Sequence, residues 1–183
     1  MKRGADTVKD DLKVSIRPAS VDDARGILDV YAPFVTETVV SFEEEPPSIQ
    51  EMAERVAQSH AWLVAAAPSR VYGYAYATPF HPRAAYRWSV EVSVYLAPDA
   101  HGRGVGKQLL RELLDRLGSL GFVNAFAGTT LPNPASVGLF EGFGFKQIAL
   151  QEKAGFKLGA WHDVGWWQLR LQDPSVPPPR LEP

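Results

Sequence analysis

Between residues 101 and 106 the chain reads His-Gly-Arg-Gly-Val-Gly, followed by Lys107 and a leucine-rich stretch. Alternating glycines ahead of a helix expose consecutive backbone N–H groups and place an anion at the positive helix terminus. Gly102 and Gly104 permit a tight turn or a close approach, and Gly106 clears the first helical turn beside Val105. Arg103 or Lys107 would add charge suited to a pyrophosphate. A flexible surface turn is the plainer reading, but alternate glycines set directly before a strong helix are more constrained than scattered ones. Two other phosphate frameworks do not fit: GxxxxGK followed by Ser or Thr is absent, and no acidic residue ends the next strand. A kinase signature is absent too.

Other chemistries are narrowed by what the chain lacks. It has no cysteine, which removes disulfides, thiolate metal sites and any cysteine nucleophile, and fits a reducing cytosol. His101, His162 and Asp163 form neither HExxH nor a compact ligand set, so no metal is expected. His60 and His81 read as ordinary surface residues. The balance of 19 Lys plus Arg against 21 Asp plus Glu offers no global attraction for nucleic acid or an anionic membrane. No apolar run is long enough to span a bilayer, and the charged N-terminus has no apolar signal region, so a cytoplasmic location is expected.

The elements that must hold the glycine loop follow from periodicity. Trp88 to Leu96 alternates Val90, Val92 and Val94 with Ser89, Glu91, Ser93 and Tyr95, the period of a strand. Pro98-Asp99-Ala100 stops it, and after the loop Val105, Leu109, Leu110, Leu113, Leu114 and Leu117 form one helical stripe ending before Gly121. Upstream, Leu12 to Arg17 reads as a strand, with Ser20 and Asp23 near a capping box. A helix follows, carrying Ile27, Leu28, Tyr31, Phe34 and Val35, then a loop through the acidic and proline-rich residues before Ser48. Ser48 to Gln58 reads as a helix; Ala61 to Ala66 and Val71 to Thr78 read as strands. Downstream, Phe122 to Ala127, Phe143 to Gln151 and Val164 to Leu171 read as strands around a short helix from Asn133 to Glu141. The pattern is α/β. With 183 residues and 45% hydrophobic content, one domain over residues 12–172 is expected, between a loose N-terminus (1–11) and a proline-rich tail (173–183) that lacks regular structure but can dock.

The glycine loop resembles motif A of the acyl-CoA-dependent N-acetyltransferase superfamily, with His101 where Arg or Gln is usual and Gly104 and Gly106 in the glycine positions. YRWSVEVSVYLAPDAHGRGVG, LPNPASVGLFEGFGF and EKAGFKLGAWHDVGWWQLRL together resemble segments of the phosphinothricin and methionine-sulfoximine N-acetyltransferases, across about residues 12 to 172. The resemblance implies a single-domain α/β acyl-CoA N-acyltransferase fold: a mixed, twisted central sheet flanked by helices, with splayed central strands, normally in a homodimer. It implies acetyl-CoA as cosubstrate and a small amino-acid analogue as acceptor.

Glu91 matches the family's acidic strand residue, which makes it the implied general base, acting directly or through water and also touching substrate. A backbone amide near Val92 would polarise the thioester carbonyl, with Val94 further along the same wall. Asn133 and Ser136, one helical turn apart, are implied coenzyme A contacts; by themselves they read as a turn or N-cap residue and an exposed serine. Phe140 departs from the family's Tyr or His, so it can shape the thiol pocket but cannot protonate a departing thiolate. Arg83 is the implied anion-binding residue and Tyr86 a hydroxyl or aromatic wall. Phe42, Phe80 and Trp88 are lower-ranked wall residues, and Lys157, Trp161 and His162 are implied contributors across a subunit interface. Without a cysteine, no acetyl-cysteine intermediate can form, so direct transfer in a ternary complex is expected. The competing readings are an acetyltransferase for another small amine or an N-terminal amine, and a catalytically silent acyl-CoA sensor.

Overall fold

The computed structural model describes residues 13–181; the expected loose stretch 1–11, Leu12 at the start of the first strand, and Glu182 and Pro183 of the tail lie outside the described residues. In chain order the elements are β1 (Ser15–Pro18), α1 (Ala24–Thr36), α2 (Ile49–Gln58), β2 (Ala61–Ala67), β3 (Arg70–Pro79), β4 (Ser89–Leu96), α3 (Val105–Ser119), β5 (Asn124–Leu131), α4 (Pro134–Gly142), β6 (Lys146–Lys157) and β7 (Ala160–Arg170). They build one mixed seven-stranded sheet in the order β1-β2-β3-β4-β5-β7-β6, antiparallel except where β4 runs parallel to β5.

Strand alternation sorts the core into two layers. Ala61, Leu63, Ala65, Ala75, Ala77, Val90 and Val92 meet the α3 stripe on one face. Trp62, Val64 and Tyr74 meet Ile27, Val35, Met52 and Val56 of α1 and α2 on the other. Leu109, Leu110, Leu113 and Leu117 are fully enclosed, and each such side chain contributes about 1.5–3 kcal/mol through burial. The first helix starts later than the capping pattern suggests. Ser20 N–H does bond Asp23 Oδ2 at 2.9 Å, but Val21–Asp23 is a 3-10 turn ahead of α1. Ser48 caps α2 in a reciprocal box with Glu51.

The C-terminal half departs most from the sequence reading. Rather than short strands over 143–151 and 164–171, β6 and β7 form a long hairpin that turns at Leu158-Gly159, with Phe143 left at the end of α4. Most of β6 is exposed, so it lacks the apolar alternation that marks a half-buried strand. Residues 173–181 form no helix or strand and dock on the domain: Trp88 Nε1 donates to the Pro179 carbonyl at 2.8 Å, and Leu181 packs on the α3-side core.

Candidate active site

β4 is the central element of the site. Its parallel pairing with β5 runs only through Ser89–Asn124, Val90–Ala125 and Glu91–Phe126, after which the ladder stops. β5 goes on to pair with β7 as far as Leu131 with Asp163, while β4 goes on to Leu96 paired with β3 but no longer with β5. The two strands therefore splay just past Glu91, and the edge of β4 that faced β5 is open to a ligand backbone.

The β4–α3 loop completes a groove of about 690 Å³. Its walls include Val94, Leu96, the loop residues His101, Gly102, Gly104, Val105, Gly106 and Lys107, and Asn133, Ser136 and Leu139 at the start of α4. Gly102 and Gly104 have φ of +71° and +78°, a conformation that strongly favours glycine, and a Cβ at either would meet nothing within 4 Å. Their backbone is thus turned to open space at the N-terminus of α3, which begins at Val105 with Gly104 as its cap. Gly106 serves packing instead: a Cβ there would lie 3.2 Å from Leu96. Asn133 fills both of its readings, because its side chain caps α4 by accepting from Ser136 N–H at 3.0 Å and it also lines the groove. His101 Nε2 lies 3.2 Å from the Leu96 carbonyl, which steadies the loop on the strand end.

On the other face of β4 lies a second cavity of about 400 Å³, lined by Glu91, Ser93 and Tyr95 of β4, Tyr76 of β3, Gly128, Thr129 and Thr130 of β5, Val164 and Trp166 of β7, and Val40 to Glu43 of the α1–α2 loop. Val40 also lines the groove, so the two spaces adjoin. Burial pushes the Glu91 carboxyl above its ordinary range, which brings it nearer the poise of a base working close to neutral pH. Tyr76 lies diagonal to Glu91 across the β3–β4 ladder, and its hydroxyl interacts with Ser93. Burial raises the pKa of Tyr76 and raises that of Tyr95 well above the usual value, so both remain neutral donors.

Residues 27–145 match the acetyltransferase (GNAT) family. The chain belongs to that family. The acetyltransferase is 40% identical to a phosphinothricin N-acetyltransferase of Alcaligenes faecalis over 89% of its own length and 86% of that protein's. It is 35% identical to an L-methionine sulfoximine/L-methionine sulfone acetyltransferase of Pseudomonas aeruginosa, over 90% of this chain and 98% of that one. The crystal structure of a phosphinothricin acetyltransferase from Sinorhizobium meliloti in complex with acetyl-CoA superposes with a TM-score of 0.83 at 38% identity, over 87% of this chain and 89% of the other. The protein is accordingly an acetyl-CoA-dependent N-acetyltransferase acting on small amines, closely related to the phosphinothricin and methionine-sulfoximine enzymes.

The groove suits the cosubstrate on its own chemistry: open backbone at a helix N-terminus for a pyrophosphate, an unpaired strand edge for an amide-bearing arm, and apolar walls between. Val92, read for a backbone amide alone, has its side chain 1% exposed in the α3-side core, compatible with that reading. Several side chains of the acetyltransferase stand elsewhere than the sequence reading puts them. Phe140 is 4% exposed and packs on Phe145 at 5.2 Å; its neighbour Leu139, one position away on α4, forms the groove wall instead.

Lys157 is no free cation. Its Nζ donates to the carbonyls of Val35 at 2.6 Å and Ser41 at 2.5 Å in the same chain, so it is not available as a substrate ligand. Trp161 is exposed beside Phe156, and His162 Nε2 lies 3.0 Å from the Lys157 carbonyl; neither lines the cavity of its own chain. Trp88 is held under the tail rather than in a pocket. Phe42 does line the cavity. Phe80 stacks on Phe126 at 4.0 Å and meets Trp166 edge-on and Tyr86 at 6.2 Å, extending the cavity's Trp166 wall outward to the exposed 83–86 turn that carries Arg83.

Sequence reasoning missed Ser41, Tyr76, Ser93, Thr129 and Thr130. The one available signal was the Thr129-Thr130 pair just past the mostly apolar run 122–127, and the structure buries both. Among the described residues no cluster of three metal-ligating side chains exists, and no helix is long and apolar enough to cross a membrane.

Proposed function

We propose that the enzyme transfers the acetyl group of acetyl-CoA to the α-amine of phosphinothricin-like amino acids, such as L-phosphinothricin, L-methionine sulfoximine and L-methionine sulfone. The observation that carries this reading is the position of Glu91, at the fork of β4 and β5 with the groove and the cavity on either side of its strand. Bound acetyl-CoA supplies the activated acetyl group. Glu91 takes the proton that the attacking amine must lose, directly or through one water, and its raised pKa favours that exchange. The freed backbone of β4 past Glu91 supplies N–H groups for the thioester carbonyl as charge develops on its oxygen. With Phe at position 140, the thiolate proton comes from water or another group. Arg83, exposed at the end of the Phe80–Tyr86 wall, receives the acceptor's anionic end. The reaction is direct transfer within a ternary complex, in a homodimer whose interface uses the long hairpin.

One observation supports a second reading. The cavity is lined by Glu43 and Glu91 but by no lysine or arginine, and Glu43 is neutralised by a two-pronged pair with Arg55 at 2.7 and 3.2 Å. Such a lining also accepts small amines without an anionic tail. An acetyl-CoA turnover panel of L-phosphinothricin, L-methionine sulfoximine, L-methionine sulfone, ordinary amino acids, polyamines and N-terminal peptides separates the two. Efficient transfer to the first three supports the preferred acceptor, whereas transfer only to polyamines or peptides rejects it. Tight acetyl-CoA binding with no transfer to any amine would point to a silent sensor.

A further inference from the structure

Every cavity residue on the α1–α2 side comes from a loop without regular hydrogen bonding, so its position must be set by side chains. Tyr31 of α1 supplies one tie, with its hydroxyl 2.7 Å from Ser41 Oγ in a buried contact. Arg55 of α2 supplies another through its pair with Glu43, and two more come from more than a hundred residues away. Lys157, at the end of β6, is 8% exposed and directs its ammonium into the carbonyls of Val35 and Ser41, bracketing the chain from the end of α1 to the cavity. Two positions earlier on the same strand face, Gly155 lies under the ring of Phe42; a Cβ there would overlap the ring. A bulge between Gln151 and Gly155 turns this end of β6 out of the regular register. At the bulge Lys153 has φ +48° and donates its N–H to Asp163 Oδ1 at 2.8 Å. Bulges re-aim the side chains that follow them, and here those are Gly155 and Lys157.

A buried ammonium bonded to carbonyls rather than a carboxylate is an expensive arrangement. Burial lowers the Lys157 pKa while Glu43 and Glu44 oppose the shift. Its removal would leave two buried carbonyls without these donors. We propose that Lys157 and Gly155 set the position of the loop that carries Ser41 and Phe42, making Lys157 a positioning residue for the amine rather than a ligand of it. This rests on the reading of the 400 Å³ cavity as the acceptor site.

The test is kinetic. Lys157→Met should raise the amine KM about tenfold. The acetyl-CoA dissociation constant should shift by less than about twofold, because only Val40 of the segment Lys157 brackets reaches the groove. Gly155→Ala should raise the amine KM in the parent enzyme but not in a Phe42→Ala background, where the ring it displaces is gone. An amine KM unchanged in Lys157→Met, with only the melting temperature lowered, overturns the proposal. So does a Gly155→Ala effect of equal size in both backgrounds, and that cycle decides the matter if Lys157→Met does not fold. Glu91→Gln, run in parallel, separates the two layers: undiminished turnover there rejects the acceptor-site reading. Lost turnover there, combined with an unchanged KM in Lys157→Met, rejects only the positioning role.

Discussion

Glu91 and Phe126 form the last rung of the parallel ladder between β4 and β5, and the strands part beyond them. The carboxylate therefore stands where the sheet opens, with its own strand dividing the groove behind the glycine loop from the cavity beneath the α1–α2 loop. A base further back would face closed sheet. On the proposed reading, a base placed nearer the loop would sit along the cofactor arm rather than beside the acceptor.

Glu91→Gln keeps the shape of the fork and removes the proton acceptor. Turnover with the preferred amine should fall about 100-fold or more, the usual range for general-base removal, while acetyl-CoA binding by calorimetry stays unchanged. Undiminished turnover would reject the assignment.

The pH profile carries the same assignment. Burial raises the Glu91 pKa, so kcat/KM should rise with pH through a midpoint above that of an ordinary glutamate, and the residual activity of Glu91→Gln should be flat over that range. The stability effect has a definite sign. The fold favours the protonated acid, so the contribution of Glu91 is fully present below its unfolded pKa and lost as pH rises through the higher folded value. Melting curves should therefore show Glu91→Gln gaining on the parent as pH rises from acid to neutral.

Gly104→Val places a β-branched side chain at φ +78° on the loop whose backbone faces the groove. The left-handed conformation costs about 1–2 kcal/mol for a residue with a Cβ. Relaxation of that strain should move the exposed amides and raise the acetyl-CoA KM by about tenfold, leaving the amine KM nearly unchanged.

Truncation after Gln172 removes the Pro179 carbonyl from Trp88 Nε1 and Leu181 from the core. With roughly 3 kcal/mol lost between one buried hydrogen bond and partial apolar burial, the melting temperature should fall by roughly 5–10 °C. Since Trp88 immediately precedes β4, some loss of kcat should accompany it.

The cofactor side of this enzyme was written in local sequence. Val90, Val92 and Val94 alternate, Gly102 and Gly104 punctuate, and Leu109 to Leu117 repeat at helical spacing, so strand, loop and helix each follow from neighbours a few residues apart. Glu91 stands out as the candidate base because its strand ends at that loop and it matches the acidic residue of the resembled family. The proposed acceptor side has no such local record. Tyr76, Ser93, Thr129 and Thr130 converge only because β3, β4 and β5 are registered side by side, and Phe42 reaches them on an irregular loop. In sequence Lys157 falls between the two expected strands, and the family pattern makes it a contributor to the substrate pocket across a subunit interface. Folding instead brings it against carbonyls 122 and 116 residues away, where the desolvated ammonium is stabilised only by the chain it holds in place.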